Sequence, residues 1–170
     1  MKMNHKFSEN LKGRWQVIPA TLLLALFLNV LPYPEWLRHA RPDWVTLALC
    51  YWCMAIPRRV GVGCGWIMGL LLDLMQYTLF GQQAMGKALV ALVVVGAHRR
   101  LRLYPVWQQC VMILVIASMD IALVVWIHYL ADDFTFRIQY WQGALTTALL
   151  WPLIYILLRN LRQRSGIVRI

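Results

Sequence analysis

The chain has 170 residues, of which 61% are hydrophobic and only 14% charged, and its mean hydropathy is +0.56. A soluble domain is typically about 45–50% apolar and about 25% charged, so a soluble enzyme, a disordered tail and a secreted disulfide scaffold all fit poorly. The net charge of +10 would suggest nucleic acid in a soluble protein. Here the basic residues fall in short clusters between apolar runs, as topology signals do, and no basic stripe with interleaved aromatics accompanies them, so no nucleic-acid partner is expected.

The pattern predicts six apolar segments, at 15–31, 44–56, 60–80, 83–97, 106–131 and 141–158. A helix that crosses the hydrocarbon core needs about 20 residues. The third, fifth and sixth segments satisfy this; the second and fourth are short, so their flanks must contribute or they are tilted or re-entrant. Continuous rather than alternating apolar runs exclude β-barrel spans. The expected fold is an all-α integral membrane protein of six transmembrane helices, one multi-pass domain over 1–170. Ahead of the first segment lie Lys2, Lys6, Lys12 and Arg14. No small-x-small cleavage site follows that segment, so it is read as an uncleaved first helix.

Charge orients the bundle. With both ends cytoplasmic, the inside collects Lys2, Lys6, Lys12, Arg14, Arg58, Arg59, Arg99, Arg100, Arg102, Arg159, Arg162, Arg164 and Arg169. The outside keeps Arg38, Arg41 and Arg137, beside Glu35, Asp43, Asp132 and Asp133. The positive-inside rule selects this orientation. Most tryptophans fall near segment ends, where aromatic belts form.

Few residues suggest chemistry. Cys50, Cys53, Cys64 and Cys110 lie in or beside apolar segments. Cys50 and Cys53 match C-x-x-C, but neither a second pair nor a polar setting supports a metal or redox site. Phosphate-loop, G-x-S-x-G and H-E-x-x-H patterns are absent, and no loop exceeds about a dozen residues. No enzymatic activity, metal or cofactor is expected.

Ionisable groups at membrane depth are costly, roughly 2.5–3.5 kcal/mol each at a helix centre, and are functional candidates by default. Asp73, Lys87 and Asp120 are the three. Gly61, Gly65, Gly69 and Asp73 recur every fourth residue, so they share one face of the third helix. A Gly-x-x-x-Gly face admits a close helix, either from a partner or from within the bundle. The short connection near Gly81 makes the third and fourth segments antiparallel neighbours. It brings Lys87 and Asp73 to similar depth, so they are a candidate ion pair; the alternative has Lys87 snorkelling to the interface. An intramembrane aspartyl protease is disfavoured, because Leu-Leu-Asp73-Leu and Ser-Met-Asp120-Ile lack that family's motifs. Asp73, Asp120 and Lys87, with His128 at the outer end, could instead line a polar path, which is the reading of a small transporter or substrate-binding subunit.

Three motifs carry a resemblance: Arg41-Pro42-Asp43-Trp44 opening the second segment, Pro57-Arg58-Arg59-Val60-Gly61-Val62-Gly63 continuing through Gly65-Trp66-Ile67-Met68-Gly69-Leu70-Leu71-Leu72-Asp73 with Gly81 after it, and Leu150-Trp151-Pro152 with the arginine-rich tail. In this order and with this hydropathy, nearly the whole chain resembles the rod shape-determining MreD family. The resemblance implies a bacterial inner-membrane protein without catalytic activity, serving the elongation complex (elongasome) that maintains rod shape. It implies MreC as the immediate partner, with MreB, the glycosyltransferase RodA and a class B penicillin-binding protein building lateral-wall peptidoglycan in the same complex. It also implies a six-helix fold similar to the substrate-binding subunits of energy-coupling-factor transporters. The family pattern implies no basic residue at the place of Lys87, so a Lys87–Asp73 pair is a reading of this sequence alone.

Overall fold

Prolines and glycines punctuate the chain, and the helices run between them. A computed structural model describes residues 15–34, 40–77, 80–130 and 141–165. Among these, six helices occur: α1 (Val17–Val30), α2 (Trp44–Ala55), α3 (Val62–Gln76), α4 (Gln82–Leu103), α5 (Val106–Leu130) and α6 (Trp141–Ser165). The start of α2 shows why the boundaries fall where they do. Asp43 follows Pro42 in an extended conformation and accepts a hydrogen bond from the Thr46 amide, which is N-cap chemistry. Ile56 closes the helix ahead of Pro57, where the residue before proline avoids helical geometry.

The third apolar segment is shorter than expected as a helix. It stops at Gln76, because Tyr77 takes the left-handed conformation (φ 52°) and Gly81 (φ 96°) completes the turn into α4. The fourth and sixth are longer. Arg99, Arg100 and Arg102 continue α4 to Leu103, and the arginine-rich stretch continues α6 to Ser165; arginine is a good helix former. The short fourth segment thus gains its length from its flank, whereas α2 stays at 12 residues, about 18 Å of rise against a hydrocarbon core of about 30 Å. Val106–Ile127 and Trp141–Ser165 are long and apolar enough to cross a membrane.

The short helix is the most enclosed one. Every residue from Val45 to Met54 is buried, since α2 packs on α1, α4 and α6. On its other sides α4 packs on α3 and α5, and α5 pairs with α6. Large apolar side chains point outward elsewhere, including Phe27 on α1, Ile67 on α3, Val115 on α5 and Leu149 on α6, each more than half exposed. An outer surface of this kind suits lipid rather than water.

Candidate functional site

Five buried polar side chains, Asn29, Thr46, Lys87, Asp120 and Thr147, gather where α2 begins. Asp43 is the organising residue. Its Oδ1 accepts from the Thr46 amide at 3.0 Å and from Asn29 Nδ2 of α1 at 3.1 Å. Its Oδ2 accepts from the Thr46 hydroxyl at 2.8 Å and from the Lys87 ammonium of α4. Its own amide donates to the Thr147 hydroxyl of α6 at 2.9 Å, and that hydroxyl donates in turn to the Gly143 carbonyl at 2.6 Å. Asn29 Oδ1 also accepts the Trp44 amide at 3.2 Å. Burial pushes the Asp43 carboxyl up, but the Lys87 ammonium and the Thr46 amide and hydroxyl outweigh it and hold the group down at about 2. Asp43 sits one residue outside α2, partly exposed, so the ionic centre begins at a helix end and runs inward.

Lys87 carries that centre into the interior. Its side chain is 1% exposed. An ammonium has three protons to donate, and they go to Asp43 Oδ2, to Thr46 Oγ1 at 3.0 Å and to Asp120 Oδ2 of α5 at 2.5 Å. Asp120 is 5% exposed, and Gly86 makes its approach possible, since a methyl group on Gly86 would overlap Oδ1. One knot of side chains therefore joins α1, α2, α4, α5 and α6.

The remaining helix, α3, is attached by a separate device, and here two readings that the sequence left open are decided. Lys87 does not pair with Asp73. Asp73 instead accepts from three backbone amides at the start of α4: Gly81 and Gln83 at 2.9 Å and Ala84 at 3.3 Å. Gly81 offers no side chain to cap α4, so a carboxylate from the neighbouring helix satisfies the orphan N–H groups and opposes the positive end of the helix dipole. Depth alone suggested the Lys87 pair, but the two side chains leave α4 and α3 toward different neighbours.

The second is the glycine face, left open between a partner's helix and one within the bundle, in which only the inclusion of Gly61 is corrected. A side chain on Gly65 would come within 2.5 Å of the Lys87 carbonyl oxygen, and one on Gly69 would overlap the backbone of Ala84. Both positions are occupied by α4, so this face is a seam inside the bundle and not a groove for a partner's helix. Gly61 does not share in it: it precedes α3, and a side chain there would meet only Pro57 O at 3.8 Å.

Other residues singled out in the sequence lie apart. The Arg41 guanidinium stands 5.5 Å from the centre of the Tyr33 ring. Pro152 lies within α6. Cys50 and Cys53 are buried free thiols. No group of three or more His, Cys, Asp or Glu that could hold a metal ion occurs among the described residues. Lys2, Lys6, Lys12, Arg14, Glu35, Arg38, Asp132, Asp133, Arg137, Arg169 and the side chain of His128 lie outside the described residues.

Sequence reasoning missed Asn29, Thr46, Gly86 and Thr147, and it placed Asp43 only as an outer-loop charge and a motif residue. A signal for Asp43 was present. Proline, then aspartate, directly before an apolar run marks an N-cap, and a capping carboxylate points along its helix rather than into solvent.

Comparison with known proteins points one way. The family model for the rod shape-determining protein MreD matches residues 9–161. A rod shape-determining protein MreD from Haemophilus influenzae is 26% identical over 151 residues, which covers 89% of this chain and 93% of that protein. No solved structure matches the chain.

Proposed function

The chain belongs to the rod shape-determining protein MreD family, and we propose that it works as a non-catalytic scaffold in the bacterial inner membrane, supporting MreC, MreB and the lateral-wall peptidoglycan synthases. Membership ties it to the determination of rod cell shape and to a membrane setting. The finer assignment of partners rests on what the family resemblance implies.

One observation carries the scaffold reading: the three protons of Lys87 are all engaged within the bundle. A lysine that handled a substrate or carried ions across would keep a donor free for its cargo. Here the most expensive group at membrane depth is fully used in holding helices together. The apolar faces of α3, α5 and α6 point outward, which suits a body that presents helices to other membrane proteins. MreC brings a single transmembrane helix, and in this reading it docks on one of those outer faces, not on the internal Gly65–Gly69 seam.

The proposed topology has six spans with both termini cytoplasmic. Reporter fusions at Arg59, Arg100 and Arg164 should then read cytoplasmic, and fusions at Arg41, Gly81 and Asp132 periplasmic; a periplasmic result at Arg100 rejects it. The functional test is purification in mild detergent. MreC and the wall synthases should accompany the protein, and a depleted strain should lose rod shape. A sample that came alone but retained a small ligand would favour a substrate-binding subunit of the energy-coupling-factor kind.

A further inference from the structure

The two carboxyl groups that flank Lys87 are not equivalent. Asp43 accepts four hydrogen bonds, two on each oxygen. Asp120 accepts one, on Oδ2 from Lys87. Its other oxygen, Oδ1, is buried and has no hydrogen-bond partner. Two ionised carboxylates around one ammonium would leave a net negative charge among α2, α4 and α5. Its bare oxygen would lie far from water, where an uncompensated charge is strongly unfavourable.

Neighbouring groups narrow what can relieve this. Against Oδ1 lies the backbone of Gly86, so close that a single added methyl group would overlap the oxygen. One turn earlier on the same face of α4 stands Gln82, 2% exposed, whose Oε1 is also buried without a donor. The ionisable groups facing Asp120 are Lys87 from α4 and, across it, Asp43 from the start of α2. Between Trp141 and Ile154, α6 contributes no ionisable side chain. Among the described residues, no second cation balances the pair. Exchanging the oxygen and nitrogen of the Gln82 amide would turn an N–H outward in place of Oε1 but would leave the excess negative charge of two carboxylates on one ammonium; a proton on Oδ1 removes that charge and takes up no volume.

We propose that Oδ1 of Asp120 is a proton-binding site: Asp120 takes one proton from the aqueous phase as an O–H bond, and Gln82 Oε1 is its acceptor. Asp43 stays ionised, Lys87 stays protonated, and the knot is electrically neutral. A carboxylic acid in this position is a donor as well as an acceptor, so both orphan oxygens are accounted for. Removing the proton at alkaline pH leaves excess negative charge between α4 and α5 and loosens that contact. The proposal concerns the knot itself and holds whatever partners the scaffold serves.

Infrared spectroscopy of the purified chain in nanodiscs, with carbon-13-labelled aspartate, tests it. At neutral pH the wild type should show a protonated-carboxyl C=O band that shifts with the label. The band should be lost in Asp120→Asn and lost in the wild type at alkaline pH, together with a fall in melting temperature. Asp120→Asn, whose amide can still accept from Lys87 and donate to Gln82, should keep the wild-type melting temperature at neutral pH and lose the alkaline fall. No labelled band in the wild type at neutral pH, or a band that survives in Asp120→Asn, overturns the proposal. Should Asp120→Asn fail to fold, the labelled wild type decides alone, by the presence of the band and by its joint loss with melting. A preparation that shows the band but brings down no shape-determining partner would reject the scaffold reading and leave the proton site standing.

Discussion

The two ends of α4 are held by different physics. At its N-terminal end, Asp73 receives the first amides, Gly65 and Gly69 let α3 into contact, and Lys87 links two carboxyl groups. At its C-terminal end, Arg102 donates to the Met54 and Ala55 carbonyls that close α2. Gln109 of α5 meanwhile donates to the Leu101 and Tyr104 carbonyls at 3.0 Å each and accepts the Trp151 indole N–H at 3.1 Å. The first end is a set of buried charges that compensate one another. The second is a set of neutral backbone acceptors gathered by side chains, with Arg99, Arg100 and Arg102 exposed. Charges in an interior must be matched within the protein, whereas an unpaired neutral carbonyl strands no charge, and the Ala55 carbonyl lies at an exposed contact where water is an alternative partner. The same kind of deletion should therefore be far more damaging at one end than at the other.

The largest expected effect is Lys87→Met. It strands two carboxyl groups against each other and against an apolar side chain, and breaking a buried pair costs roughly 3–5 kcal/mol. Membrane level and melting temperature should both collapse. Adding Asp43→Asn should restore part of the loss, because Asp43 is the ionised partner with the most hydrogen bonds. Adding Asp73→Asn should restore nothing. Rescue by Asp73→Asn would mean that the knot is misassigned and that Lys87 serves the α3 side.

Next in size is Gly69→Ala. The new methyl group overlaps Ala84 backbone, which cannot step aside as a side chain can, and overpacking costs about 1–3 kcal/mol. Gly63→Ala is the control: it lies in the same helix with nothing within 4 Å of the added carbon. Alanine there should be neutral or stabilising, since glycine is worse than alanine in a helix by about 1 kcal/mol. Equal melting temperatures for the two variants would show that the α3–α4 seam is loose.

How far the sequence reveals this arrangement differs between the parts. Helix positions were legible, because apolar runs bounded by Pro32, Pro42, Pro57 and Pro105 leave few alternatives. Asp73, Lys87 and Asp120 were legible as expensive residues from their places inside apolar runs. Their partners were not. Depth along two antiparallel helices constrains pairing in one dimension, while the direction in which a side chain leaves its helix depends on the packing angle around the axis. Lys87 and Asp73 match in depth and diverge in direction. Asn29, Thr46 and Thr147 are common residues in membrane helices, and nothing local distinguishes the ones that close a knot from the ones that bond back to their own helix. Thr146, for example, next to Thr147 in the sequence, donates only to the Gln142 and Gly143 carbonyls of its own helix, at 3.2 and 3.0 Å.

Asp73→Asn should have an intermediate effect. The amide retains one oxygen acceptor for the α4 amides and loses the other, along with the charge that opposes the helix dipole. Loss of a capping group costs about 0.5–2 kcal/mol. Hydrogen exchange at Gln83 and Ala84 should rise while the α2–α4 contact stays protected. Faster exchange throughout α4 would indicate that Asp73 supports the whole helix rather than its first turn.

The smallest expected effect is Arg102→Gln, which completes the contrast because, like Lys87→Met, it removes one cation from α4. Arg102 is exposed and its donors go to neutral carbonyls at the end of α2. Once the guanidinium is gone, water can replace it at the exposed Ala55 contact, and no opposite charge is stranded. A hydrogen bond exchanged for one to water is worth about 0.5–1.5 kcal/mol net. The glutamine amide can recover part of that, so the change in melting temperature should be slight. If Arg102→Gln were as damaging as Lys87→Met, the carbonyl end would also be closed to water. The difference between the two ends of α4 would then lie in which partners they recruit and not in how far each is from solvent.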